Sequence, residues 1–178
     1  MPPRIREAEP KDARDIAEIH VRSWRAAYRG QLADDFLDGL NVEDRLEMHR
    51  LALENPPAEY RMWVAEEEGR TIGFAVTGKS EDADADERTA EVFAIYLDPD
   101  RVGTGLGRTL FAHAVEDLRG RGYSSATLWC SKAMSSRAAS TTWPGGGTTA
   151  PRRVSVWTVR CARPFAIASS SDAEILRR

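Results

Sequence analysis

The stretch VFAIYLDPDRVGTGLGR, residues 92–108, decides the fold. An apolar strand breaks at the acidic proline turn Asp98-Pro99-Asp100, crosses a glycine-rich loop and opens a helix. The helix continues as TLFAHAVEDLRGRG, and Leu106, Leu110, Ala114 and Leu118 fall on one face at near-helical spacing. Gly103, Gly105 and Gly107 lack a Cβ, so backbone N–H groups there can approach a ligand closely. Those groups sit at a helix N-terminus, where unpaired donors and the helix dipole favour an anion such as a pyrophosphate.

The spacing excludes two familiar phosphate loops. GTGLG is not G-x-G-x-x-G, and no acidic residue closes a second strand at the distance a dinucleotide-binding unit needs. No Gly-Lys-Ser/Thr follows either, so it is not a P-loop. A ligand-free strand-to-helix turn and an anion cradle both remain open for the loop alone. Its flanks favour the cradle.

With those flanks the segment resembles motif A of the GNAT superfamily of acyl-CoA-dependent N-acetyltransferases. In that family a strand reading roughly Y-[VL]-x-P-[DE] leads into [QR]-x-x-G-x-[GA] and a helix. Ile95, Tyr96, Leu97, Asp98, Pro99 and Asp100 match the strand and turn, Gly105 and Gly107 match the two small positions, and Arg108 follows. The [QR] position falls on Val102, with Arg101 one residue early. The resemblance implies that Ile95, Tyr96 and Leu97 pair with the pantetheine arm of acetyl-CoA as co-substrate. It implies equally that Val102, Gly103, Thr104, Gly105, Leu106, Gly107 and Arg108 cradle the pyrophosphate.

The residues before the motif agree with that fold. Arg4 to Ala8 alternates like a short strand, and Pro10 leads into a helix through about Tyr28, with Ile16, Ile19 and Trp24 on its apolar side. A second helical stretch covers roughly residues 33–55, is interrupted near Gly39–Asn41, and ends at Pro56-Pro57. Tyr60 to Glu66 and Thr71 to Thr77 read as a hairpin turning at Glu68-Gly69. Ala90 to Leu97 is the buried strand of the motif, and Ser125 to Trp129 starts another. The predicted class is α/β (α+β): a mixed central sheet flanked by helices, β-α-α-β-β-β-α-β, GNAT-like over residues 1–129.

From Cys130 the pattern changes. Residues 130–178 show little period of either kind and carry eight Lys/Arg against two Asp/Glu, a net of +6, whereas residues 1–129 carry −9. A disordered basic tail is one account. A change of reading frame near Trp129 is the other, and it is the preferred one. Read one base out of register, the codons permit VLEGNELARRFYDVAGW, which resembles the next GNAT motif, N-x-x-A-x-x-F-Y-x-x-x-G-[FW], in its proper place. The expectation is a GNAT-like acetyl-CoA-binding domain over 1–129 and an irregular, non-family tail over 130–178.

That tail bears on activity. By resemblance the next motif supplies a Tyr that protonates the departing CoA thiolate and an Asn near the pantetheine, and the chain as written has neither there. Tyr123 precedes the fifth strand and is not a substitute by position. Acyl-CoA binding is therefore better supported than turnover. The expected function is transfer of an acetyl group to an amine, with a catalytically impaired acyl-CoA-binding remnant as the alternative. A third reading is an unstable chain, because an uncovered fifth strand exposes a sheet edge.

Attack of a neutral amine on a thioester needs a base and a donor to the developing oxyanion. Glu91, at the start of the central strand, is where some family members carry that base; it also reads as a solvated strand end. The resemblance makes the Leu97 amide the oxyanion donor. Trp24 and Tyr28 lie on the helix that usually faces the acceptor, although aromatic residues at this spacing commonly pack together.

Other constellations fall away. Asp82, Asp84 and Asp86 alternate as in a calcium loop, but the sixth and twelfth positions are Glu87 and Phe93. His20, His49 and His113 have no ligand-like spacing, and two cysteines make no disulfide scaffold. No metal site is expected. Hydrophobic residues make up 42% of 178, enough for one domain with a real core. No apolar run approaches a membrane span and no signal-peptide core opens the chain, so a cytoplasmic location is expected, with no membrane partner. The acidic body argues against specific nucleic-acid binding. The expected partners are a small-molecule or peptide amine acceptor and, as is frequent in the family, a second copy in a homodimer.

Overall fold

Residues 61–79 double back at Glu68-Gly69, both in the left-handed region (φ 51° and 79°), which suits the twist of a two-residue hairpin. The arms are β2, Arg61–Glu67, and β3, Arg70–Lys79. β1, Arg4–Glu7, pairs antiparallel with β2, and β4, Thr89–Leu97, antiparallel with β3. β5, Ser125–Cys130, lies parallel to β4, and a parallel neighbour needs a crossover. The helix Leu106–Gly120 supplies it. The computed structural model describes residues 3–83, 85–130 and 158–161.

Helix α1, Ala13–Tyr28, follows a short 3-10 turn at Pro10–Asp12, and α2, Asp34–Asp38, and α3, Val42–Glu54, follow it. The break expected near Gly39–Asn41 is real: Asn41 caps α3 by accepting from the Glu43 N–H at 2.9 Å. The crossover helix Leu106–Gly120 is α4.

Strand alternation sorts the core onto two faces. Val64 and Phe74 turn toward Ile16 and Ile19 of α1. Ala75 turns the other way, against Leu110 and Ala114 of α4, and Leu118 covers Ala90, Val92 and Ala126. All four residues expected to form the apolar face of α4 are buried. α1 is fixed at its start by Asp12, which accepts two hydrogen bonds from the Arg6 guanidinium, at 2.7 and 2.8 Å, and one from the Glu9 N–H.

One expectation is corrected. β5 is not an uncovered edge: β6, Thr158–Cys161, pairs parallel with it and completes a sheet of order β1-β2-β3-β4-β5-β6. The unpaired N–H and C=O groups of an edge are a template for any extended segment, and the short run TVRC provides one within the basic tail. The register sets Cys130 opposite Cys161. The rest of the tail, 131–157 and 162–178, lies outside the described residues.

Between α1 and α3 two imidazoles meet in the core. His20 Nδ1 and His49 Nε2 are 3.0 Å apart, and His20 stacks on Tyr96 at 5.3 Å. Burial, first, and the Arg45 charge then hold both neutral, lowering His20 to about 3 and His49 to about 4; His49 also disfavours a charge on His20. Unfolded imidazoles take up protons near their ordinary value, so the unfolded chain binds more protons than the folded one below about pH 6.5. Stability is thus present at neutral pH and lost as pH falls toward 4. In a Glu91→Gln variant, which removes the opposing gain from a carboxyl that burial raises, urea unfolding at pH 7 and pH 5 should show a loss of about 1–2 kcal/mol per imidazole. Equal stability at both pH values contradicts the neutral pair.

Candidate active site

β4 carries one residue more than its partner. Val76 lies opposite Ala94 and Thr77 opposite Val92, which leaves Phe93 without a counterpart on β3 as a β-bulge. Ala90 and Val92 face Leu118 of α4. Beyond the bulge Ile95 and Leu97 take that face, while Ala94 and Tyr96 join the α1 side. β5 runs beside β4 only from Thr89 to Val92 and then continues beside β6. The sheet therefore opens along Phe93–Leu97. The Asp98 N–H donates to the Ile72 carbonyl at 2.9 Å, and antiparallel alternation then turns the amides and carbonyls of Leu97 and Ile95 away from β3, into the opening.

The glycine-rich loop lies at the end of that opening. Asp98 accepts from the Asp100 N–H at 3.0 Å and so starts a 3-10 turn over Pro99–Arg101. Thr104 Oγ1 donates to the Arg101 carbonyl at 2.7 Å. Gly103 (φ 88°) and Gly105 (φ 90°) are left-handed, and a Cβ on either would meet nothing within 4 Å. These glycines are required by backbone conformation, and the space above them is open. Gly105 is the N-cap of α4, and its carbonyl accepts from the Arg108 and Thr109 N–H groups. The Leu106 and Gly107 amides, in the first turn, have no helical acceptor behind them. Gly107 is constrained differently, since a Cβ there would stand 3.2 Å from Leu97 Cδ1. Val102, at the family's polar position, is 60% exposed. Arg101 is held by Glu67, and Arg108, exposed on the first turn of α4, is a further cation beside the loop.

Glu91 lies at the closed end of the opening, half-buried. Burial first, then the nearby Asp82 charge, pushes its carboxyl up to about 7; hydrogen bonds from the Ser80 hydroxyl (3.3 Å) and the Glu81 backbone oppose this incompletely. It is not the solvated strand end that the sequence also allowed. Tyr60 stacks on the bulged Phe93 at 4.7 Å and donates from its hydroxyl to Glu81 at 2.8 Å. Trp24 is buried, its ring against His20 and Tyr28 at 5.6 and 5.1 Å, with the Arg45 guanidinium 6.0 Å from its centroid. Tyr28 is only partly buried. The structure thus gathers Ile95 to Leu97 and Val102 to Arg108 around one opening, sets Glu91 on the same strand, and packs Trp24 into the core. Ser80, Tyr60, Arg22 and Ser23 were not legible as site neighbours, because their partners are distant in sequence. Among the described residues no group of three His, Cys, Asp or Glu side chains is placed to hold a metal, and no helix is long and apolar enough to cross a membrane.

A sheet opened beside an amide-lined loop at a helix N-terminus suits an acyltransferase, whose donor is extended and carries an anionic end. The chain belongs to the GNAT acetyltransferase family: the model described as "Acetyltransferase (GNAT) family" matches residues 13–140. The match runs past Trp129 into the first residues of the tail. The uncharacterized N-acetyltransferase YuaI of Bacillus subtilis is 37% identical over 131 residues, 70% of this chain and 69% of its own. Among solved structures, the PaiA N-acetyltransferase of Thermoplasma acidophilum in complex with coenzyme A has a TM-score of 0.55 at 20% identity, covering 69% of this chain and 76% of that one. A GNAT family acetyltransferase of Brucella melitensis in complex with acetyl-CoA has a TM-score of 0.56 at 20% identity, over 76% and 80% of the two chains.

The positive φ at Gly105 gives a direct test. Gly105→Ala should lower stability by about 1–2 kcal/mol, since a left-handed L-residue is strained even where space is open. Gly120 also has open space but lies in ordinary helical conformation at the end of α4, so Gly120→Ala should be neutral or slightly stabilising. Thermal melting of the two variants separates conformation from crowding.

Proposed function

We propose that this protein transfers an acetyl group from acetyl-CoA to the nitrogen of an amine, with the opening along Phe93–Leu97 as the site and Glu91 as the general base. The observation that carries the reading is the combination on one strand of outward-turned amides at Ile95 and Leu97 with a half-buried carboxyl raised to about 7 at Glu91. The loop fits an anion: Gly103 and Gly105 leave open space above the backbone, the α4 amides face it, and Arg108 adds a positive charge. Acetyl-CoA supplies an activated acyl group with a thiolate leaving group. The chain's own residues then align it along the strand, the Ile95 peptide group pairing with the extended arm and the Leu97 amide donating to the thioester carbonyl oxygen as negative charge develops there. A base with pKa near 7 is half ionised at neutral pH and accepts the proton of an attacking ammonium either directly or through water.

The acceptor in this reading is an amine, as either a small molecule or a peptide. Trp24 is too buried to touch it directly, which leaves the partly buried Tyr28 as the candidate contact from α1. A second reading, acyl-CoA binding with little turnover, is favoured by one feature: no tyrosine stands between Tyr123 and the end of the chain, so the family's thiolate-protonating group is missing as written. We infer that residues from about 130 onward derive from a shifted frame; sequencing the coding DNA across codons 125–150 from an independent source tests this, and an unchanged frame refutes it.

Glu91→Gln should leave the CoA dissociation constant unchanged and lower kcat/KM for amine acetylation by about 100-fold or more. Because the base must be ionised, the rate should rise with pH through about 7, and that rising limb should vanish in the variant. A variant that retains the limb shows that another group is the base. Tight CoA binding with no turnover in the unmodified chain selects the second reading.

A further inference from the structure

We infer that Arg22 and Ser23 of α1 are positioning residues that hold the glycine-rich loop in its ligand-receiving shape, a role that rests on reading that loop as the acyl-CoA site. Three tethers converge on the segment between β4 and α4. The Ser23 hydroxyl donates to the Leu97 carbonyl at 2.6 Å, engaging the last outward-turned carbonyl of the strand. The Arg22 guanidinium spans the turn, with one nitrogen 2.7 Å from Asp98 Oδ2 and the other 3.0 Å from Asp100 Oδ2. From the far side, Arg101 pairs with Glu67 of β2.

Asp98 joins the two halves of this device. Its Oδ2 takes the Arg22 hydrogen bond while its Oδ1 accepts the Asp100 N–H, so the arginine fixes the carboxylate that shapes the turn. The loop needs such support. Beyond Asp98 it leaves the sheet ladder, and two of its residues are left-handed glycines with nothing packed above them. A segment of this kind opens locally at low free-energy cost. The Arg22 pairs are partly exposed, and exposed ion pairs contribute little to global stability. Their contribution falls on the local opening of the loop, where a small energy alters the fraction of molecules in the competent shape and hence the apparent affinity.

The test uses the full chain without ligand, then with CoA. Arg22→Gln should speed hydrogen–deuterium exchange of the hydrogen-bonded turn amides of Asp100, Arg101 and Val102 by about 2- to 5-fold, the equivalent of one exposed ion pair. It should weaken CoA binding by a similar factor and leave the urea midpoint unmoved. Arg22→Lys should recover part of both effects, and Ser23→Ala should speed exchange at Asp98, whose N–H belongs to the peptide unit that Ser23 holds. Arg22→Gln with Asp100→Asn should be no worse than Arg22→Gln alone, because the two groups act as one contact. Unchanged loop exchange in Arg22→Gln, or effects that multiply in the double variant, overturns the proposal. If the unmodified chain binds no CoA, the reading of the site falls, while the exchange data still decide whether α1 holds the loop.

Discussion

The extra residue at Phe93 shifts the later side chains of β4 by one place, and the shape of the site follows from that shift. Before it, β4 is an ordinary interior strand with neighbours on both sides. After it, β3 still pairs with the strand but β5 has diverged, so one row of peptide groups is released from the sheet. Unpaired peptide groups inside a protein are costly unless something satisfies them. Ser23 takes up the Leu97 carbonyl, and the unmet capacity of the Ile95 peptide groups and the Leu97 amide is the strand's means of holding an extended partner, much as an edge strand accepts another.

The two ends of the opening differ in electrostatic character. At the loop end, helix amides and Arg108 favour negative charge. At the other end, Glu91 lies beside Glu81 and Asp82, and mutual repulsion with burial keeps a proton available near neutrality. α1 links the two environments to the core. Its first turn is fixed by the Arg6–Asp12 bonds, its middle contributes His20 and Ser23 beneath β4, and Arg22 reaches the loop. Movement of α1 would therefore be felt at both the strand and the turn.

Much of this was legible in the sequence because it is local. The β4–loop–α4 unit is contiguous, its glycines and proline mark the turns, and the α4 apolar stripe is strictly helical in period; its four predicted core residues are buried. The hairpin was marked by Glu68-Gly69 for the same reason. What was not legible is non-local. Nothing at Arg22 announces partners 76 and 78 residues away, and nothing near Glu91 identifies Ser80 as its hydrogen-bond donor. Trp24 has the spacing of an exposed aromatic pair as readily as of a core residue, and packing under His20 decided the matter. β6 was obscured because four residues are too few to show a period against a polar, aperiodic background.

Leu97 has a consequence that reaches beyond its own strand. One of its methyl groups occupies the place a Cβ would need at Gly73, 2.5 Å away, and the other stands 3.2 Å from the place a Cβ would need at Gly107. A strand residue, a helix residue and the leucine between them thus share a single volume. Two glycines 34 positions apart both depend on the size of one side chain, so in descendants of this sequence a change at any of the three positions bears on the other two. A smaller residue at position 97 is the step that would first relieve either glycine, with the Tyr96 carbonyl, 3.2 Å from the place of a Cβ, still bounding Gly73.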